Sequence, residues 1–564
     1  MLKFYLDQIN KKNYNIKLEL KTFDCKRDAE ESAKVYEQIA ADPDIITVID
    51  NSWGTHLSGA REIIRNNKIP LIAINADHNQ SDFGSQAIFT GNNDYLPGEI
   101  NSFLTKVLNQ KEVIFISEED YMLHHSFIED FHKNHIKIKN EFTIKSNPED
   151  KEASFNEFTK KFDYEIKSDP TIKERWMVIN LHNEYGQKLL NYIDANHRNI
   201  KLIGHAYIIQ TIGNFKFGKN SGNELILVNN PTDAVSREIA LDLYKFKSEK
   251  PDMFLQTLSP LFPKRCYDAI SIIENGLQSK SKIDRNYYES YFSGLRNNII
   301  KTHDELYYFN SKNELIPDLF FVQYKDGRLY SYREQLNKKG QAIPNIIAGM
   351  EIIDLYNLDV SSNTFMADFY YWIKADSINA DAERFINFPN MKESGSARSL
   401  VLEKIENGMI YKLYKVSGLF HQDYDLNNYP MDKQEITISM EVMNPSEKLK
   451  IAFDQSAFHQ DANFLEKFQV KAWNKEKYLL TVDNRISSTM RGDPDSNEDE
   501  LKKYQVFSFR LFVQRSFVGP FLEIIMPLML IGMVAIALLF IKDLSFGNIG
   551  EVSAGTFLGI ITFS

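Results

Sequence analysis

The sequence predicts a multidomain chain. It has an α/β part over residues 1–338, an all-β sandwich over 345–515, and transmembrane α-helices over 518–564, the second truncated after its start. Three observations predict this. In the first part, apolar runs of strand length alternate with helical patterns. In the second, apolar and polar residues alternate with a period of two. In the third, Ile524 to Ile541 carries no charge at all. These periods separate buried parallel strands, half-buried strands and membrane helices.

Composition fits this division. The 564 residues suffice for several domains, and 43% hydrophobic with 25% charged residues is ordinary for globular material. A mean hydropathy of −0.37 makes the membrane portion a minority. A net charge of −11 argues against nucleic acid as a partner. Two cysteines, Cys25 and Cys266, make neither a disulfide framework nor a metal-ligand pair, and read as buried thiols or a single bridge. No phosphate loop, nucleophile motif or metal constellation is present, so no enzyme, cofactor or metal is expected. His124-His125 with Glu129 is an incomplete ligand set.

Within residues 1–338 the strand candidates are Ile45–Ile49, Leu71–Ile74, Val113–Ile116, Met177–Ile179, Leu202–Ile203 and Leu225–Val228. Helical patterns run over Asp28–Ala41 and Leu57–Asn66. Apolar runs alternating with helices predict a parallel sheet covered on both faces. Ligands bind beyond the carboxyl ends of such strands. The order of elements resembles the type I periplasmic binding proteins. YLDQINKKNYNIKLELKTFDCKRDAEESAKVYEQIAADPDIITVIDN is similar to that family's first helix, second strand, second helix and third strand. FTGNNDYLPGEI resembles its crossing segment, KRCYDAISIIENGL its late helix, and DELYYFNSKNELIPDLFFVQYKDGRL its closing hairpin. The resemblance implies two lobes closing on a small polar ligand, with contacts by position at Ser52, Trp53, Thr55, Asn75, Asp77, Tyr121 and Asn183. The competing reading of each is a loop cap or solvated turn residue. The family's first strand and signal peptide are missing, which leads us to expect a longer gene at the front.

From Lys338-Lys339-Gly340 the pattern becomes continuous strands. Phe365, Ala367, Phe369, Tyr371 and Ile373 alternate with Met366, Asp368, Tyr370, Trp372 and Lys374. Ile436, Ile438, Met440 and Val442 form one apolar face, and Phe507, Phe509, Leu511 and Val513 another. Regular period-2 strands predict a sandwich. The tip RGDPDSNEDE, residues 491–500, has a partial calcium-loop spacing but lacks the turn glycine and the closing glutamate, and reads as a solvated hairpin end.

The loop GLFHQDYDLNNYPMDKQEITI carries the most specific signal. Its core of Tyr429, Pro430, Met431 and Asp432 resembles the signature loop of the pentameric ligand-gated ion channels. GMEIIDLYNLDVSSNTFMADFYYWIKAD is similar to that family's first two strands. Arg515 and Pro527 fall where it has an arginine before, and a proline within, its first membrane helix. Gln422 and Ile436 stand near the places of the animal branch's cysteines, so the resemblance points to the bacterial branch.

The resemblance implies a homopentamer in a bacterial inner membrane, with the large N-terminal part periplasmic or extracellular. The first helix would be 521–541 and a partial pore helix 551–564. Glu551 and Ser553 would line the cytoplasmic mouth and select inorganic cations. Ile560 or Ile561 would close the pore by dewetting. Glu551 reads alternatively as an interfacial helix-start acid. Tyr429, Pro430, Asp432, Arg515 and Pro527 would form the gating interface. An aromatic ligand box would draw on Tyr370, Trp372, Phe388, Phe453 and Tyr504, each of which also reads as core or surface. The alternative function is a membrane-anchored periplasmic solute-binding sensor without channel activity.

Overall fold

Two sheets organise the first part of the chain. The computed structural model describes residues 2–540 and residue 555. The exceptions are 13, 15, 53, 76–82, 92–94, 120–122, 146–150, 206–207, 209–216, 230–235, 250–260, 278–282, 303–305, 317–318, 326–327, 338, 377–381, 407–408, 444–448, 455–463, 469, 471, 488–501, 518 and 520. Lobe 1 holds three short parallel strands, β1 (Val48–Asp50), β2 (Leu71–Ala73) and β3 (Ala87–Phe89), in that order. Lobe 2 holds β4 (Glu112–Glu118), β5 (Lys137–Ile144), β6 (Trp176–Asn180), β7 (Lys201–His205) and β8 (Glu224–Asn229). The chain then adds a small antiparallel pair, β9 (Ile299–Lys301) and β10 (Leu306–Tyr308). It returns to lobe 2 with β11 (Phe320–Lys325) and β12 (Arg328–Ser331), giving the seven-strand order β12-β11-β8-β7-β6-β4-β5.

Every strand expected from an apolar run is present. β6 is buried throughout and β4 nearly so, because helices cover both faces of this sheet. Two cores result, one on each face. Ile114, Phe142, Phe158, Phe162 and Ile179 lie on one side, and Phe103, Phe115, Phe127, Val178 and Ile226 on the other.

The helix Ala29–Ala41 starts where expected. Asp28 accepts the backbone N–H groups of Glu30 and Glu31 through its side chain. Its last carbonyls go to Arg285, which donates to Ile39, Ala40 and Asp42.

Two local expectations fail. Residues 16–25 pair with no strand among the described residues; Leu18 is held instead by both side-chain atoms of Asn10. The pattern Leu57–Asn66 is split by a 3₁₀ turn, Ser58–Ala60, within which Gly59 approaches the Ala29 carbonyl so closely that a Cβ would sit 2.0 Å from the oxygen.

The second part is the expected sandwich. One sheet contains β13 (Glu334–Leu336), β14 (Ala342–Asp359), β15 (Thr364–Asp376), β17 (Met391–Glu406) and β18 (Met409–His421), with β20 (Lys450–Phe453) alongside β14. The other contains β16 (Ile386–Asn387), β19 (Lys433–Val442), β21 (Trp473–Ser487) and β22 (Lys502–Arg515). Phe365, Ala367, Phe369, Tyr371 and Ile373 all face the core, as their alternation predicts. They meet Ile436, Ile438, Met440, Phe507 and Phe509 from the opposite sheet. The Tyr429–Pro430 peptide is cis.

The expected membrane helix 521–541 requires correction. The chain winds as a π-helix over Phe521–Ile525 and as an α-helix over Met526–Leu539. Pro527 has no N–H to return to the carbonyl four residues back, and a wider turn at this point accommodates it. The α-helical part alone, fourteen residues at 1.5 Å each, spans ~21 Å. Among the described residues, no helix is long and apolar enough to cross a membrane. The helix is apolar on all sides, with Leu528, Met533, Val534 and Ile536 exposed.

Candidate functional site

Two places gather functional side chains: the strand ends of the two lobes, and the sandwich end next to the apolar helix. In lobe 1, Asp50 ends β1. It accepts Tyr36 Oη at 2.8 Å and Ser52 N at 2.6 Å. Burial, followed by the Asp50 charge, pushes the Tyr36 phenol up, so it stays a neutral donor. Ser52 Oγ in turn meets Cys25 Sγ at 3.3 Å. Arg265, from the helix Leu261–Leu277, reaches the Ile74 carbonyl and Asn75 Oδ1, both at 3.3 Å.

Lobe 2 contributes Ser117 and Glu118 from the end of β4, and His182 after β6. Glu118 is 6% exposed and accepts His182 N at 3.0 Å. Burial pushes its carboxyl up, and the His182 bond pulls it partly back. Tyr185, from the helix Asn183–Asn196, is buried within electrostatic reach of Glu118. Its Oη has no hydrogen-bond partner among the described residues. Ser117 Oγ lies 2.7 Å from His124 Nδ1. A buried carboxylate with an uncommitted phenol in electrostatic reach suits the positive group of a small solute, which would repay their desolvation.

Of the residues expected from the sequence, Ser52 and Asn75 lie half-buried at strand ends. Thr55 is exposed, and its carbonyl accepts Ser58 Oγ. Asn183 opens its helix, and only its backbone is described. Trp53, Asp77 and Tyr121 lie outside the described residues, as do Glu551, Ser553, Ile560 and Ile561 and the tip 491–500. Sequence reasoning missed Arg265, Tyr185 and Glu118 as site residues. Nothing local marks Arg265, whose partner Asn75 is 190 positions away.

Within one chain, the five aromatics of the expected sandwich box divide between the core and the outer face of β15. Phe388 is buried in the core at 5.2 Å from Phe369 and 5.3 Å from Tyr371. Trp372 points from the other face of β15 and donates to Asp454 at 3.0 Å. Phe453 stacks on Phe507 at 4.3 Å, and Tyr504 is buried. Tyr370 is half-buried on the Trp372 face, because alternate residues of a strand point to opposite sides.

At the far end, Asp432 is 1% exposed and holds Arg515 by a two-pronged ion pair of 2.6 and 3.1 Å. The Arg515 guanidinium lies over Trp473 at 4.3 Å and Tyr429 at 5.1 Å. Gln434 donates to Asp432 at 2.6 Å and bonds the Asp425 backbone in both directions. Tyr429 and Met431 are left exposed, and Pro430 half-buried, beside the strand that runs on to Pro527.

No protein-family model matches the chain, and no curated protein matches it. Solved structures do. A substrate-binding protein of an ABC transporter from Desulfitobacterium hafniense, in complex with Leu, is 14% identical. The match covers 59% of this chain and 94% of that one, at a TM-score of 0.45. The branched-chain amino acid substrate-binding protein LivJ of Streptococcus pneumoniae, in complex with isoleucine, is 12% identical over 59% and 92%, at 0.43. The leucine binding protein LivK of Thermotoga maritima is 13% identical over 59% and 92%, at 0.43. By its own sheets, the α/β part divides into a three-stranded and a seven-stranded body, and a β-rich region follows it.

Proposed function

We propose that the chain is a non-enzymatic solute receptor. Its two lobes capture a small ligand bearing a positive group, and its sandwich passes that event to the apolar helix Met526–Leu539. The observation that carries this reading is the buried Glu118 carboxyl at a strand end, where α/β folds bind ligands, with the uncommitted Tyr185 phenol within its electrostatic reach. The test is thermal unfolding of the full chain against free amino acids and small quaternary amines. We expect at least one to raise Tm by several degrees, and Glu118→Gln to abolish the shift. No shift with any of them, or the same shift in the variant, sinks the proposal.

The finer reading is a subunit of a pentameric ligand-gated, cation-selective channel in a cell membrane, with the two lobes outside. Its support is the Tyr429–Asp432 loop, the burial of Asp432 against Arg515, and the apolar helix that follows directly. Glu551 and Ser553, with a gate at Ile560 or Ile561, would belong to the pore. A second reading is a membrane-anchored sensor with no pore, for which the Glu118 cleft serves equally well. Particle images of the whole gene product in lipid nanodiscs, with bilayer recordings, separate the two. Five-fold rings that pass cation current support the channel; single subunits without current leave the anchored sensor.

A further inference from the structure

Each lobe touches the sandwich, and each touches a different sheet. From lobe 2, the Leu319 carbonyl accepts Lys450 Nζ at 2.5 Å, and the same ammonium lies 4.7 Å over Phe320. Phe320 packs with Ile347 and Ala452. Lys450, Ile347 and Ala452 belong to β20 and β14 of the six-stranded sheet.

Contact from lobe 1 runs through the helix Arg237–Glu249. That helix is fastened to lobe 1 by Tyr267 Oη on Glu238 at 3.1 Å and by Lys245 over Phe4 at 5.3 Å. At its start, Arg237 N donates to Asp483 at 2.7 Å. Its guanidinium grips Glu435 with three bonds of 2.5–3.0 Å. Arg510 closes the cluster, 2.7 Å from both Glu435 and Asp483. Further along, Lys477 lies 3.8 Å over Tyr244. Glu435, Asp483, Lys477 and Arg510 all belong to the four-stranded sheet.

Glu435 stands on the strand that Asp432 leads into, and Arg510 on the strand that Arg515 ends. Glu435 lies three positions from Asp432 along β19 and its leading loop, and Arg510 five positions from Arg515 on β22. At ~3.3 Å per residue, these links are roughly 10 and 17 Å long. The two strands are paired with each other along this stretch, from Lys433 opposite Gln514 to Thr437 opposite Arg510.

We propose that Arg237 is the residue through which lobe 1 acts on the Asp432–Arg515 junction, while Lys450 fixes lobe 2 to the opposite sheet. A change in the angle between the lobes then slides β19 and β22 against the sheet that lobe 2 holds. The receptor reading enters only as the source of that change in angle.

Hydrogen exchange of the full chain, read by mass spectrometry without any solute, tests the proposal. Arg237→Gln is expected to speed exchange several-fold in residues 429–435 and 510–515, leaving β14 and β20 unchanged. Lys450→Met is expected to do the reverse. Arg237→Lys retains the charge but loses the fork, and guards against loss of folding; it should give a smaller change at the same places. If the effect of Arg237→Gln stays within 237–249, or if both Arg237 variants loosen the sandwich everywhere, the proposal is overturned. Because no solute is added, that result leaves the receptor reading untouched.

Discussion

Arg515 donates to both carboxylate oxygens of Asp432, and its backbone N–H donates to the Asp432 carbonyl at 3.0 Å. One residue thus closes a loop and ends the last strand before the apolar helix. Neither side chain is free to relax, since Asp432 is buried and Arg515 is held between Trp473 and Tyr429. Removing one member of a buried pair strands the other, at a cost of about 3–5 kcal/mol. Asp432→Ala is therefore expected to lower the denaturation midpoint sharply. Burial pushes the Asp432 carboxyl up, but its bonds from Arg515 and Gln434 outweigh this and hold it below the usual range. A depressed acid stabilises above its unfolded pKa of ~3.9 and loses that contribution as pH falls through its folded value. The gap between wild type and Asp432→Asn should hold at neutral pH and narrow below about pH 4. A gap that does not change with pH contradicts this.

Asp242 has the opposite sign. It lies on the helix that joins lobe 1 to the sandwich. Burial, then repulsion from Glu238, pushes it up to about 6. A raised acid is tolerated when protonated, so its contribution to stability is lost as pH rises from ~3.9 through that value. Asp242→Asn should raise Tm at pH 7.5 and make little difference near pH 4. Equal Tm values at pH 7.5 would show that the carboxylate is fully solvated.

How much of this was legible in the sequence depends on the range over which a residue acts. The strand at Val113–Ile116 and the alternation Phe365–Ile373 stood out because burial imposes a period on neighbours. Asp432 and Arg515 were legible only through resemblance, since 83 positions separate them. The grip of Arg237 on Glu435 spans 198 positions and leaves no local period, so no pattern announced it. The winding of the apolar helix was hidden for another reason. A count of uncharged residues does not register the π-helical turn that precedes Pro527.

His205 ends β7, fully buried in lobe 2, and burial pushes its imidazole down to about 4. The unfolded histidine takes up a proton near ~6.5, whereas the folded one resists it until far lower pH. Stability contributed by the neutral ring is complete above ~6.5 and declines as pH falls toward the folded value, by at most about 1.4 kcal/mol per unit. His205→Gln should flatten the dependence of unfolding free energy on pH between ~6.5 and 4. An unaltered slope would mean that another group titrates there.

Gly91 ties the crossing segment to the site. A Cβ at this position would stand 2.0 Å from the Ile74 carbonyl oxygen and 2.9 Å from Asn75 N. Both obstacles are backbone, so no side chain can swing aside. The Ile74 carbonyl is also an acceptor for Arg265, and Asn75 is its other contact. Gly91→Ala must then push the end of β2 away from the crossing segment and pull both acceptors off Arg265. Overpacking of this kind costs about 1–3 kcal/mol in a well-packed core, and rigid backbone on both sides favours the upper end. The expected result is a lower Tm together with loss of any solute-induced Tm shift. Arg265→Ala should reproduce the loss of the shift with a smaller fall in stability, because it removes the donor and leaves β2 in place. A Gly91→Ala variant with wild-type stability would show that β2 and the crossing segment are not in contact in solution.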